Sequence, residues 1–167
     1  MIVREANTQD WACLKSVRLE ALLDAPTAFG VSYETAASYT DERWKALASV
    51  DSNPRFWMAL DGNHPVGMIG ASVDKTGCFN LIGMWIRSPY RGSGVAQRLV
   101  DRVKEHALER GHNCIVLDVS PENKRAAQFY VRQGFVFIEQ FEPLASHPHI
   151  QVQTMVWLVN PEQKVCK

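Results

Sequence analysis

The chain has 167 residues, 46% of them hydrophobic and 22% charged, which fits one globular domain with a full core and excludes a disordered or low-complexity polymer. Lys plus Arg and Asp plus Glu number 18 each, so no global charge draws it to nucleic acid or to an anionic membrane, though a local basic patch stays open. Cys13, Cys78, Cys114 and Cys166 form no C-x-x-C pair and have no His at ligand spacing, so they read as buried thiols and no metal is expected.

Met1-Ile2-Val3-Arg4-Glu5 carries a charged pair where a signal peptide would need an apolar run, and no stretch of about 18 apolar residues follows. A cytoplasmic protein with no membrane contact is expected.

Residues 2–6 alternate as a short strand. Asn7 or Thr8 can then cap a helix in which Trp11, Leu14, Val17 and Ala21 recur at helical spacing. Pro26 interrupts that helix. Thr40 is placed to cap a second one, with Asp41 and Glu42 complementing its dipole. The stretch between, residues 28–34, gives no clear pattern.

Residues 56–60, 66–73 and 79–86 read as strands separated by turns at 61–63 and 74–77, an antiparallel meander. Helical period then returns, with Val95, Leu99, Val103 and Ala107 on one stripe and Gly111 as a stop. Residues 114–119 fit a buried strand, and residues 123–133 a short helix closed by Gly134. Residues 135–141 and 150–159 fit two final strands, with 143–148 as the loop between them. No linker or repeat divides this order, so residues 1–167 read as a single domain: α+β, a mixed sheet flanked by helices.

Between the third meander strand and the long helix lies Arg91-Gly92-Ser93-Gly94-Val95-Ala96. The first N–H groups of a helix lack internal acceptors and carry the positive dipole end, so the junction suits a phosphate, and glycines let the backbone approach it. The Lys-Ser/Thr ending of a Walker loop is missing. A dinucleotide loop is also disfavoured, because Gln97 stands at its third glycine position and the preceding strands come as hairpins.

Arg91-x-x-Gly94-x-Ala96 resembles the Gln/Arg-x-x-Gly-x-Gly/Ala signature of the GCN5-related N-acetyltransferases. Downstream, Asn123-x-x-Ala126-x-x-Phe129-Tyr130-x-x-x-Gly134-Phe135 is similar to the family's second cofactor segment. One departure is Ser88, which stands where many relatives have a proline three residues before the loop Arg.

The resemblance implies a mostly antiparallel sheet splayed between its fourth and fifth strands, with acetyl-CoA as cosubstrate and an amine of unspecified identity as acceptor. It implies that Arg91, Gly92, Ser93, Gly94, Val95 and Ala96 hold the pyrophosphate. Backbone groups of Met84 and Ile86 would pair with the pantetheine arm, and an N–H near Trp85 or Ile86 would polarise the thioester. Asn123 would contact the same arm.

Tyr130 matches the family's general acid, which protonates the leaving thiolate. A phenol of pKa about 10 gives a proton to a thiolate of about 8.5 only slightly uphill. Without the motif, Tyr130 would read as an amphipathic ring capping the core. Glu34 is the leading candidate for an acceptor-side carboxylate, with Glu139 and Asp118 behind it. His147 and His149, with Pro148 between them, read as loop residues.

The function expected is direct N-acetylation of a primary amine on a small molecule, peptide or protein, since no Cys in the motif offers a covalent acyl carrier. A non-catalytic acyl-CoA sensor or interaction module is the alternative. The sheet edges and the final strand, residues 150–159, offer surfaces for a homodimer, and a self-contained core strand would look the same.

Overall fold

In the computed structural model, which describes residues 1–166, seven strands and five α-helices are found among the described residues. The first strand is β1 (Ile2–Glu5). Asn7 and Asp10 then close a capping box on a 3-10 turn: the Asn7 side chain accepts the Gln9 N–H and the Asp10 carboxylate accepts the Asn7 N–H, both at 2.9 Å. The turn launches α1 (Trp11–Asp24), which stops just before Pro26.

The stretch without a clear pattern leads into a short helix, α2 (Tyr33–Ala37), capped by Ser32, and Thr40 caps α3 (Asp41–Ala48). The meander follows as β2 (Arg55–Asp61), β3 (His64–Val73) and β4 (Phe79–Ile86). After it come α4 (Val95–Glu109), β5 (Cys114–Val119) and α5 (Lys124–Arg132), then β6 (Val136–Leu144) and β7 (His147–Leu158).

The sheet order is β1-β2-β3-β4-β5-β7-β6, with only β4 and β5 parallel because α4 carries the chain across between them. Alternation along the strands divides the core. Met58, Met68 and Trp85 pack with Leu14, Val17, Leu22 and Trp44 from α1 and α3, while Trp57, Ala59 and Ile69 pack with Leu99 and Val103 from α4.

The expected splay is present. β4 and β5 pair only at Phe79↔Ile115 and Asn80↔Val116, after which they part. β4 bulges where its pairing with β3 jumps from Ile82↔Gly70 to Trp85↔Met68, and inside the bulge Gly83 adopts φ 60°, a conformation few side chains tolerate. The bulge bends β4 and leaves its β5-facing edge without a strand partner from Leu81 onward.

Several expectations need correction. The segment 143–148 is not a loop: Pro143 pairs with Gln151, Leu144 pairs with His147, and the hairpin turns tightly at Ala145 and Ser146. Both prolines escape notice because β6 is the sheet edge and the early part of β7 pairs with β6 alone, so neither ring removes a needed ladder N–H. The final strand is internal to the sheet: Gln153 to Val156 of β7 lie between β5 and β6, which leaves β1 and β6 as the sheet's two edges.

The cysteines are not four buried thiols. Cys78 and Cys166 form a disulfide across 88 residues, and the Cys114 sulfur lies 3.5 Å from that of Cys166. Spacing hides this, because Cys78 and Cys114 flank the paired ends of β4 and β5 and the C-terminal tail returns beside them. No helix among the described residues is long and apolar enough to cross a membrane.

Candidate active site

The splay opens two adjoining cavities. The first, of about 610 Å³, is walled by Met84, Trp85 and Ile86 of β4, by Arg91, Gly92, Gly94, Ala96 and Gln97 at the start of α4, and by Asn123, Arg125, Phe129, Tyr130 and Arg132 of α5. The second, of about 430 Å³, shares Phe29, Met84, Asn123 and Tyr130 with it and extends to Gly83, Asp118, Glu122, Ile150 and Val152.

The N-terminus of α4 is built to stay open. Ser32, Thr40 and Asn123 cap α2, α3 and α5 with their side chains, yet α4 has no side-chain cap and no acidic residue in its first turn. Its first intrahelical N–H belongs to Arg98, which donates to Gly94, so the N–H groups of Val95, Ala96 and Gln97 have no helical acceptor. Gly92 and Gly94 have φ of 80° and 85°, and a Cβ at either would meet nothing within 4 Å. Donors, positive dipole and clear space thus coincide. Arg125 and Arg132 add the local basic patch that a balanced net charge concealed.

The loop is held from behind. Arg91 donates to the Ile86 carbonyl at 2.8 Å and to Asp24 at 2.7 Å, and the Trp85 indole N–H reaches the same carboxylate at 2.9 Å. The indole and then Arg91 hold the Asp24 carboxyl below the usual carboxylate range. Asp24 is therefore the hub joining α1, β4 and the glycine loop. Sequence reasoning missed it because its partners lie 61 and 67 positions away. The Ile86 carbonyl, expected to pair with a bound arm, is already engaged by Arg91.

Two members of the expected set stand apart from the wall. The Ser93 hydroxyl turns back to the Tyr90 carbonyl at 2.5 Å, and the Val95 side chain is buried in the core. Asn123 uses its side-chain oxygen to cap α5, accepting the Ala126 N–H at 3.3 Å, while lining both cavities.

Tyr130 also borders both cavities. Its ring is wedged edge-on between Phe129 and Phe135, and its burial pushes the phenol well above its ordinary pKa, so it stays protonated at neutral pH. Of the three candidate carboxylates, only Asp118 lines a cavity, the second one, where it accepts the Thr154 hydroxyl at 2.7 Å. Glu34 sits exposed in the first turn of α2, away from both cavities, where it complements the helix dipole. Glu139 is exposed on β6. His147 and His149 lie in β7, their rings 6.0 Å apart.

A splayed sheet with an uncapped helix N-terminus at its mouth defines an acyltransferase-like architecture, and comparison with known proteins agrees. The model of the Acetyltransferase (GNAT) family matches residues 18–135, and the chain belongs to that family.

An uncharacterized N-acetyltransferase of Methanocaldococcus jannaschii is 27% identical over 123 residues, 70% of this chain and 54% of that protein. N-acetyltransferase 8B of Rattus norvegicus is 31% identical over 98 residues, 56% of this chain and 44% of that one. The chain thus spans about half the length of these curated relatives. The crystal structure of a GNAT-family acetyltransferase from Streptococcus pneumoniae superposes with a TM-score of 0.78 at 22% identity, covering 95% of this chain and 99% of that one.

Proposed function

We propose that the chain transfers the acetyl group of acetyl-CoA directly to a primary amine of a small molecule, peptide or protein. The observation that carries this reading is the uncapped N-terminus of α4 facing the unpaired edge of β4, with Tyr130 between the two cavities. Three features match the donor's three parts. Open N–H groups and arginines suit phosphates, a bare strand edge suits an extended amide arm, and Phe29, Met84 and Tyr130 give a poorly hydrated end for a thioester.

In this reading Gly92, Gly94 and Ala96 present backbone to the pyrophosphate while Arg125 and Arg132 supply positive charge. Asp118, in the second cavity, takes the proton that the acceptor ammonium sheds before attack. Tyr130 then donates its hydroxyl proton to the departing thiolate. Its raised pKa does not defeat this, because the same desolvation also raises the proton affinity of a thiolate in the cleft.

The acetyl group passes directly: a C–N bond forms and the thioester C–S bond breaks. Of the two protons the ammonium loses, the first goes to Asp118, while the second, shed by the acylated nitrogen, restores the Tyr130 hydroxyl that has protonated the thiolate. No cysteine among the described residues lines either cavity, which agrees with direct transfer.

Mass spectrometry of protein and amine after incubation with acetyl-CoA tests the reading. The amine is expected to gain the acetyl group, with none retained on the protein when amine is withheld. An unmodified amine across a broad panel contradicts transfer, and a stable acetylated protein contradicts the direct route.

A further inference from the structure

Arg18, on α1 beside the second cavity, is a cation that no carboxylate pairs with among the described residues. Its Nη1 is fully buried and makes no hydrogen bond. None of the ion pairs among the described residues includes it, although its α1 neighbours Glu20 and Asp24 are paired with Arg87 and Arg91. The guanidinium carbon lies 4.9 Å from the centroid of the Phe29 ring, and Nη1 would stand 3.3 Å from a Cβ built at Gly83.

Phe29 and Gly83 both form the cavity wall, so the charge stands directly behind it. Gly83 leaves that approach open, since a side chain there would press on Nη1. The residue as a whole is half-buried rather than sealed in the core.

A desolvated guanidinium with an unused donor is unfavourable unless something supplies a counter-charge, and a planar fork of donors is the group best matched to a carboxylate. The cavity's own carboxylates, Asp118 at the end of β5 and Glu122 before α5, belong to other elements than α1, and Asp118 is engaged with Thr154. The cavity thus combines acidic groups near Tyr130 with a cation on the α1 side. A zwitterion fits that polarity, its ammonium toward Asp118 and its carboxylate toward Arg18.

Resting on the transferase reading above, we infer that the acceptor is an amine that also bears a carboxylate, as in an amino acid, and that Arg18 is the residue selecting it. The cation–π contact with Phe29 holds the guanidinium against the wall, and Gly83 gives the carboxylate its access.

The test compares matched acceptors, an amino acid and the amine left by removing its carboxylate, by free-thiol release from acetyl-CoA. Wild type is expected to favour the carboxylate-bearing member by about 10- to 100-fold in kcat/KM, the range of a charge-assisted hydrogen bond. Arg18→Met should abolish that preference by raising KM for the amino acid while leaving the decarboxylated amine unchanged, and Arg18→Lys should restore part of it.

Equal use of both members by wild type, or an Arg18→Met loss equal for both, overturns the assignment and leaves the transferase reading standing. Absence of thiol release with every acceptor overturns both. The wild-type comparison needs no variant to fold.

Discussion

Replacing Gly94 by Ala separates backbone strain from ligand contact, because the same helix provides its own control. Gly94 precedes α4 with φ 85°, Gly111 follows it with φ 80°, and a Cβ at either would meet nothing within 4 Å. An L side chain in that left-handed region costs about 1–2 kcal/mol, partly offset by a less flexible unfolded chain, so each variant should lose about 1 kcal/mol. In a domain of this size that is a Tm decrease of about 2–4 °C, the same for both.

Only at Gly94 would the new methyl stand where a phosphate approaches the N–H groups of α4. Losing one charge-assisted hydrogen bond there predicts a KM for acetyl-CoA about 10- to 100-fold higher for Gly94→Ala, with kcat at saturation little changed and Gly111→Ala at wild-type KM. Thermal unfolding and initial rates against acetyl-CoA concentration give both quantities. A KM unchanged in Gly94→Ala, or raised equally in Gly111→Ala, refutes the phosphate cradle.

Tyr130→Phe should lower kcat about 100-fold with KM for acetyl-CoA nearly constant. Because burial holds the phenol proton on, wild-type kcat should show no alkaline fall caused by this group below about pH 10. Asp118→Asn should lower kcat/KM for the acceptor near neutral pH and recover as rising pH deprotonates the amine without help; a loss that is flat across pH contradicts its role as base. Asp24 has a lowered pKa, so its stabilisation is present above the ordinary carboxylate value near pH 4 and disappears as pH falls through the lower folded value. Asp24→Asn should therefore lower Tm at neutral pH and lose less on acidification than wild type. The effect is small, since the Asp24 side chain is 42% exposed.

Local physics made much of the fold legible. Alternation gives β2, β3 and β4 within a few residues, the long helix runs between its two glycines as expected, and Thr40 caps the helix assigned to it. The glycine loop is legible for the same reason, since glycine, helix start and open N–H groups are neighbours in sequence.

What stayed hidden depends on contacts between distant residues. Asp24 has no motif and gains its place only when α1, β4 and the loop meet. The prolines of the last hairpin read as loop because sheet position, not composition, decides whether a missing N–H matters. Glu34, the leading candidate, is turned outward by α2, while Asp118, inside an apolar run, lines the second cavity. Arg18 carries no signal in the sequence: an arginine in a helix looks solvated until its surroundings show a buried guanidinium nitrogen that no acid pairs with.

The most direct measurement of the central claim is the initial rate of free-thiol release from acetyl-CoA, with and without a panel of primary amines that includes amino acids. The account predicts release that depends on the amine and saturates with it, matched by an equal yield of acetylated amine. Stabilisation of the fold by acetyl-CoA with no amine-dependent release contradicts it and leaves a chain that binds the donor without catalysis.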